Sequence, residues 1–484
     1  MSGKGKIRSA NVIGSGPNGL AAAITLAQAG VAVTVYERNE RVGGACSTAE
    51  VTLPGFRHDL GSSVYPLGVA SPFFRSLPLE RYGLEWVEPD TPLAHPMDEG
   101  PALMMEHSLA DTAAQFEAHD ARAWRALMAP TVRDWPKLVE DVTRSLLRFP
   151  RHPLALASFG AAAVLPARTL ALTVFKTERA RALFAGCAAH AVIPLTKVAS
   201  SATGLVLMAA AHSTGWPLVR GGAQSLSDAL AADLGSLGGA VVTGFAVSSL
   251  AQLPPSDVAI FDTSAQAMGA IAGDALTSAF RTRLEHAKAG PGIFKVDYAL
   301  REPIPWKDPA CRRAGTVHLG GTLAEIERSE HAAFYGQLSE RPFVLLVQPS
   351  LFDPSRVPQG RDITGLQTAW AYCHVPHGSE VDRTDVIEGQ IERFAPGFRD
   401  VVLARRAWNT SALGEWNPNL AGGDISGGVM TLSGLIARPT LRTYRTGNPA
   451  VYLASASTPP GGGVHGMCGY GAALAALSDH RAQT

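Results

Sequence analysis

Residues 10–44, ANVIGSGPNGLAAAITLAQAGVAVTVYERNERVGG, restrict what this chain can fold into more than any other stretch. Asn11 to Ile13 read as a short apolar strand, and Gly14, Gly16 and Gly19 follow as G-x-G-x-x-G. In that pattern the first glycine permits a tight turn, the second lets backbone approach a pyrophosphate, and the third lets helix and strand pack closely. Residues 17–29 then predict a small-residue helix whose first-turn N–H groups and dipole face a phosphate. Gly30 ends it, Val31, Val33 and Val35 alternate as a second strand, and Glu37 arrives 18 residues after Gly19. An acidic side chain at that offset takes ribose hydroxyls, and its charge favours a ribose without a 2′-phosphate. A lone glycine fingerprint is weak in a chain with 49 glycines, but here strand, glycines, helix and terminal acid agree.

The rest of the chain bounds the partner. At 484 residues it is long enough for two or three domains, one of them interrupted by another. Charged residues are only 17%, against a usual level of about 25%, which points to extensive burial, an apolar substrate or an apolar contact surface. Lys plus Arg equals Asp plus Glu at 42 each, so no general field draws nucleic acid, which is disfavoured as a partner. Cys46, Cys187, Cys311, Cys373 and Cys468 never form C-x-x-C, which argues for reduced, buried thiols over a disulfide framework or a thiol redox centre. The short basic start, MSGKGKIRSA, is followed by a strand used up in the nucleotide fold, so a cytoplasmic protein is expected. Residues 154–175 are broken by Pro166 and Arg168, and 199–217 contain His212, Ser213 and Pro217. Neither reads as a membrane span, and peripheral membrane contact stays open. No metal is expected, since His374 and His377 face opposite ways on a strand and the other histidines lack ligand spacing.

Further along, Pro54-Gly55 marks a turn inside 45–66. Residues 111–216 are alanine-rich with helical spacing of apolar residues, and read as an inserted cap. Gly221-Gly222 turns into a helix. Residues 240–250 read as a strand pair, 257–264 as a buried strand, and 291–430 as a mixed or antiparallel sheet forming a substrate-domain floor. Residues 446–478 read as strand, Gly/Pro-rich loop and small-residue helix, so the loop and helix start present several backbone N–H donors and a positive dipole end.

Arg41 to Gly44, R-x-G-G, resemble the second glycine motif of glutathione-reductase-like and amine-oxidase-like flavoproteins, which favours FAD over NAD. The run from Gly43 to Gly61, G-G-x-x-x-T-x-x-x-x-x-P-G-F-x-x-D-x-G, is similar to the flavin-approach segment of the phytoene-desaturase family. With 416–428 and 456–471, the whole chain resembles a phytoene-desaturase-related FAD-dependent oxidoreductase, nearest the bacterial group related to pyridine nucleotide-disulfide oxidoreductase domain-containing protein two. The resemblance implies an α/β fold: a Rossmann-like FAD-binding domain of glutathione-reductase/amine-oxidase type, an inserted helical cap and a mixed-sheet substrate domain. The implied pieces are FAD-binding 1–75, substrate-domain strands 76–110, cap 111–216, FAD-binding 217–290, substrate domain 291–430 and FAD-binding 431–484.

It also implies FAD contacts at Gly14, Gly16, Pro17, Asn18, Gly19, Glu37, Arg38, Gly43, Gly44, Ala45, Gly61, Ser62, Val247, Ser457, Gly463, Val464, His465, Gly466 and Met467, with His465 as candidate active-site acid or base. The expected reaction moves hydride from an apolar polyene, terpenoid or polyketide-like substrate to flavin, forming or rearranging a C=C bond. No second dinucleotide fingerprint is visible between 217 and 430, so oxygen, a quinone or another carrier is the expected electron acceptor. Two alternatives stay open: an amine or amino-acid oxidase with a cage drawn from Trp370, Tyr372, Trp408 and Trp416, and a non-catalytic flavin-fold binding module. The oligomeric state is not set by the sequence.

Overall fold

The fold comes from a computed structural model that describes residues 6–360 and 364–481. The first five residues of the basic start lie outside the described residues.

The apolar strand Ser9–Ile13 sits in the middle of a five-stranded sheet, flanked by Ala32–Tyr36 and Val258–Phe261, with Ala240–Val242 and Val451–Leu453 outermost. Every pairing in it is parallel, as expected where crossover helices cover a sheet. Helix Pro17–Gln28 opens on a proline, which a first helical position tolerates. Gly30, at φ +79°, lets the chain reverse into the next strand. That helix packs against Ala223–Ser236 and Met467–Arg481, and its small side chains permit near-contact of backbones: a Cβ added to Gly469 would lie 1.7 Å from the Asn18 carbonyl oxygen. The first and last helices are thereby locked together.

The second sheet has seven strands, in the order Val402–Trp408, Gly292–Leu300, Gln367–Val375, Val344–Val347, Ala314–Leu319, Thr91–His95 and Leu103–Met105. Only the pairing of Thr91–His95 with Ala314–Leu319 is parallel. Residues 76–110 thus supply edge strands to the sheet built from 291–408. Helices from Ala118–Arg133 to Ser200–Ala211 lie over one face around Trp124, Trp135, Phe175, Phe184 and Met208.

The α/β class, the parallel nucleotide sheet and the mixed substrate-domain sheet match the sequence reading. Two local expectations differ. The strand read over 240–250 stops at Val242, and the chain then follows the Glu37 carbonyl through the Phe245 N–H, so Val247 lies in a loop. Residues 291–430 also contain the helices Leu323–Phe334 and Thr384–Phe394, the first started by a reciprocal Thr322–Glu325 capping box. No single helix among the described residues is long and apolar enough to cross a membrane. Pro153–Ala163 and Ala167–Val174 would pass only as a pair, and they are bent by 87°.

Candidate active site

One cavity of about 700 Å³ runs along the carboxyl ends of the parallel strands and on into the space between mixed sheet and cap. Its first part is walled by Gly14, Gly16, Pro17, Asn18, Glu37, Arg38, Val247, Asp262 and Thr263, and its middle by Gly44, Ala45, Gly61, Ser62, Ser457, Gly463 and Val464. Segments up to 450 residues apart in sequence, from Gly14 to Val464, therefore share one surface. Gly19, Gly43, His465, Gly466 and Met467 are not part of these walls. Gly19 serves packing, since a Cβ there would meet the Gly14 carbonyl oxygen at 2.1 Å, and Gly43 donates its N–H to the Ser15 carbonyl.

His465, the candidate acid or base, is buried behind the Gly463–Val464 wall, and its ring does a structural task. Nδ1 accepts the Met467 N–H at 3.0 Å, which satisfies a donor at the start of the last helix, while the His465 carbonyl takes a bond from Ser71 Oγ. Burial holds the ring down at about 4, with a hydrogen bond at Gly461 opposing. The ring expected as a catalytic imidazole is thus held as an acceptor at the helix start and is not part of the cavity wall.

At the nucleotide end Glu37 is buried at the tip of its strand. One carboxylate oxygen accepts from Ser15 N–H (3.0 Å) and Ser15 Oγ (2.6 Å), and the other from Asn39 N–H (2.9 Å). Asp262 reaches the start of helix Pro17–Gln28 and accepts the Gly19 N–H at 2.8 Å. Burial raises its carboxyl to about 7, the Gly19 bond opposes, and the Glu37 charge adds to the rise. A Cβ on Gly16 would stand 2.5 Å from Asp262 Oδ2, and one on Gly44 would stand 3.4 Å from the Gly16 Cα. Bare backbone, a helix start and a strand-end acid in one groove fit the diphosphate and ribose of a dinucleotide. Asn18 Oδ1, buried without a partner, adds an unused acceptor on the same wall.

The far part is a chamber with a different character, walled by Val64, Val192, Leu207, Trp216, Leu345, Val347, Trp370 and Tyr372. Lys295 enters from the strand Gly292–Leu300, all nine residues of which are buried. Its ammonium donates to Asp297 Oδ1 at 2.5 Å and to the Asp59 carbonyl at 3.0 Å, and lies 5.2 Å from the Trp370 ring centroid. Trp408 Nε1 donates to the other Asp297 oxygen. The sequence reading passed over Lys295, although a Lys-x-Asp pair inside an apolar strand puts both charges on one face. Cys46 lines the cavity, but burial pushes its thiol up to about 11, so it stays protonated and weakly nucleophilic. All five cysteines are free and buried. Among the described residues no cluster of three or more His, Cys, Asp or Glu could hold a metal ion.

A parallel sheet with its glycine loop at one end of a groove, and a mixed sheet flooring the other, define a Rossmann-type dinucleotide fold joined to a substrate domain. The family described as NAD(P)-binding Rossmann-like domain matches residues 12–77. A solved oxidoreductase from Methanosarcina mazei superposes with a TM-score of 0.62 at 15% identity, over 98% of this chain and 100% of that one. Putrescine oxidase bound to putrescine superposes with 0.61 at 15% identity, over 98% and 99%.

In sequence, the chain is homologous along its length to mouse pyridine nucleotide-disulfide oxidoreductase domain-containing protein 2, 29% identical over 547 residues, covering 97% of this chain and 93% of the relative. Phytoene desaturase of Neurospora crassa is 49% identical over 57 residues, 12% of this chain and 9% of that one. At these identities the solved structures show a shared fold, and the mouse and Neurospora crassa proteins show what the sequence is similar to.

Proposed function

We propose that this protein binds FAD and takes hydride from an apolar substrate, forming or rearranging a carbon–carbon double bond. The observation that carries this reading is the continuity of one cavity from the glycine loop to a chamber walled mainly by apolar and aromatic side chains. When bound, FAD supplies the site that accepts hydride. The substrate would lose that hydride to the cofactor and a proton from the neighbouring carbon to solvent, and oxygen, a quinone or another carrier would then take the two electrons from the reduced cofactor.

The chain's own residues do the rest. Gly14, Gly16 and Gly44 admit the cofactor backbone to backbone, and Glu37 is placed for the ribose. Trp216, Leu207 and Val347 keep the chamber dry and hold the substrate in place. The Lys295–Asp297 pair puts a fixed cation beside Trp370.

The amine-oxidase alternative is less well supported. A cage needs rings facing one another across a gap, whereas Trp370 and Tyr372 stack on each other at 5.7 Å and 14°. Trp408 and Trp416 are not part of the cavity wall, and the charged group the chamber does offer is a cation, unsuited to an ammonium substrate.

The visible spectrum of purified protein, followed by anaerobic bleaching trials, tests the reading. A yellow protein bleached by polyenes, and not by amines, NADH or NADPH, is the expected result. A colourless protein that takes up no added FAD would leave only the binding-module alternative, and rapid bleaching by a nicotinamide would overturn the acceptor assignment.

The cap surface supports contact with an anionic bilayer. Phe149 is 84% exposed, Leu154 86% and Leu441 67%, and Arg148 and Arg442 share a shallow hollow with Leu147 and Leu441. Apolar side chains ringed by arginines suit a headgroup boundary. The protein is expected to float with phosphatidylglycerol vesicles and not with phosphatidylcholine ones, and Phe149→Asp with Leu154→Asp is expected to abolish flotation. Equal flotation of the variant would refute the contact.

A further inference from the structure

Opposite the Lys295 floor, on the cap side of the chamber, His190 closes the helix Glu178–Ala189 and forms part of the wall. Behind it, His318 lies fully buried in the strand Ala314–Leu319, with the two Nε2 atoms 2.9 Å apart. Burial lowers both rings, His190 to about 3 and His318 well below its ordinary value, with neighbouring histidine charges adding to the effect. Both are therefore neutral at physiological pH.

Two neutral imidazoles in contact through Nε2 share one N–H, and which ring owns it follows from the other nitrogens. If His190 donated, His318 would carry its proton on Nδ1, which is buried without any partner. It also faces Gly186, where an added Cβ would lie 2.7 Å away. If His318 donates, its Nδ1 merely lacks a donor. An orphaned buried N–H costs more than an under-used lone pair. His318 Nε2–H therefore donates to His190 Nε2, and His190 carries its proton on Nδ1, the ring nitrogen that His318 does not occupy.

Among the described residues the His190 Nδ1–H has no hydrogen-bond partner, and on the chamber wall it needs an acceptor from the bound molecule.

We propose that His190 binds an oxygen atom on the substrate, so that the substrate is an apolar molecule bearing a carbonyl or hydroxyl group and is not a pure hydrocarbon. This rests on the reading of the chamber as the substrate site. His318 is a positioning residue: it fixes the His190 tautomer and does not touch the substrate.

The test uses β-ionone and the matched hydrocarbon in which CH2 replaces its carbonyl oxygen, each titrated by quenching of Trp216 and Trp370 fluorescence, a readout independent of flavin. One hydrogen bond corresponds to a preference of about tenfold for the ketone in the unaltered protein. His190→Phe is expected to abolish that preference while leaving the hydrocarbon bound at least as well, and His190→Gln to keep much of it. A preference that survives His190→Phe, or its absence from the unaltered protein, overturns the assignment. The visible spectrum of the same samples separates the two readings: a ketone preference in protein that never takes up flavin overturns the enzyme reading and leaves His190 as the oxygen-binding residue.

Discussion

Gly16→Val is expected to purify without flavin, to fold, and to remain colourless after incubation with FAD. The Cβ alone would stand 2.5 Å from Asp262 Oδ2, and Gly44 closes the other side, so the branched side chain has room only in the groove itself. That is where backbone must approach the diphosphate. The ratio of visible to ultraviolet absorbance is the measurement, and a variant that purifies fully loaded would refute the placement.

The same groove predicts a pH dependence. With its carboxyl raised to about 7, Asp262 is neutral below that value and anionic above it. Its contribution to stability is present at pH values below the ordinary carboxylate range and is lost as pH rises through about 7. An anion at the helix start opposes a diphosphate, so FAD retention should tighten as pH falls from 8 to 6. Asp262→Asn is expected to flatten that profile.

Arg356→Met is expected to cost about 3–5 kcal/mol of stability, because it removes the buried cation that two buried carboxylates share. Arg356 is fully buried and donates to Asp353 Oδ2 (2.8 Å), Asp59 Oδ1 (2.9 Å) and the Val219 carbonyl (3.1 Å), tying three distant segments together. Burial alone would raise both carboxyls. For Asp59 the Arg356 charge and hydrogen bond, and for Asp353 the Ser355 and Arg356 bonds, more than offset it, so both lie below their ordinary value. The stability they confer is thus present above the ordinary carboxylate range and lost on acidification below it. Chemical denaturation at pH 7 measures the loss, and Asp59→Asn added to Arg356→Met should recover part of it. An unchanged midpoint in the single variant would contradict the role.

The nucleotide half was legible because its determinants are local. Gly14, Gly16, Gly19, Gly30 and Glu37 each act within one turn or one strand end, and their spacing carries the geometry. The 322–334 helix was also written in the chain, as T-x-x-E ahead of an apolar stripe, but the strands around it drew the reading toward a sheet. Other features were out of reach. His190 and His318 are 128 residues apart and meet only because the cap lies over the mixed sheet. His465 sits beside the right loop, yet the direction in which its ring turns depends on the donor two residues on. The strand that ends in Asp262 was legible in 257–264, while its raised carboxyl depends on a burial that no spacing discloses.

The contact between the Asn18 carbonyl and Gly469 has a temporal consequence. On the ribosome, the glycine loop emerges long before its final neighbour is translated, and the outermost strand Val451–Leu453 arrives late as well. A nascent chain can therefore form the fingerprint but not the finished groove, and coenzyme loading belongs to the end of biosynthesis.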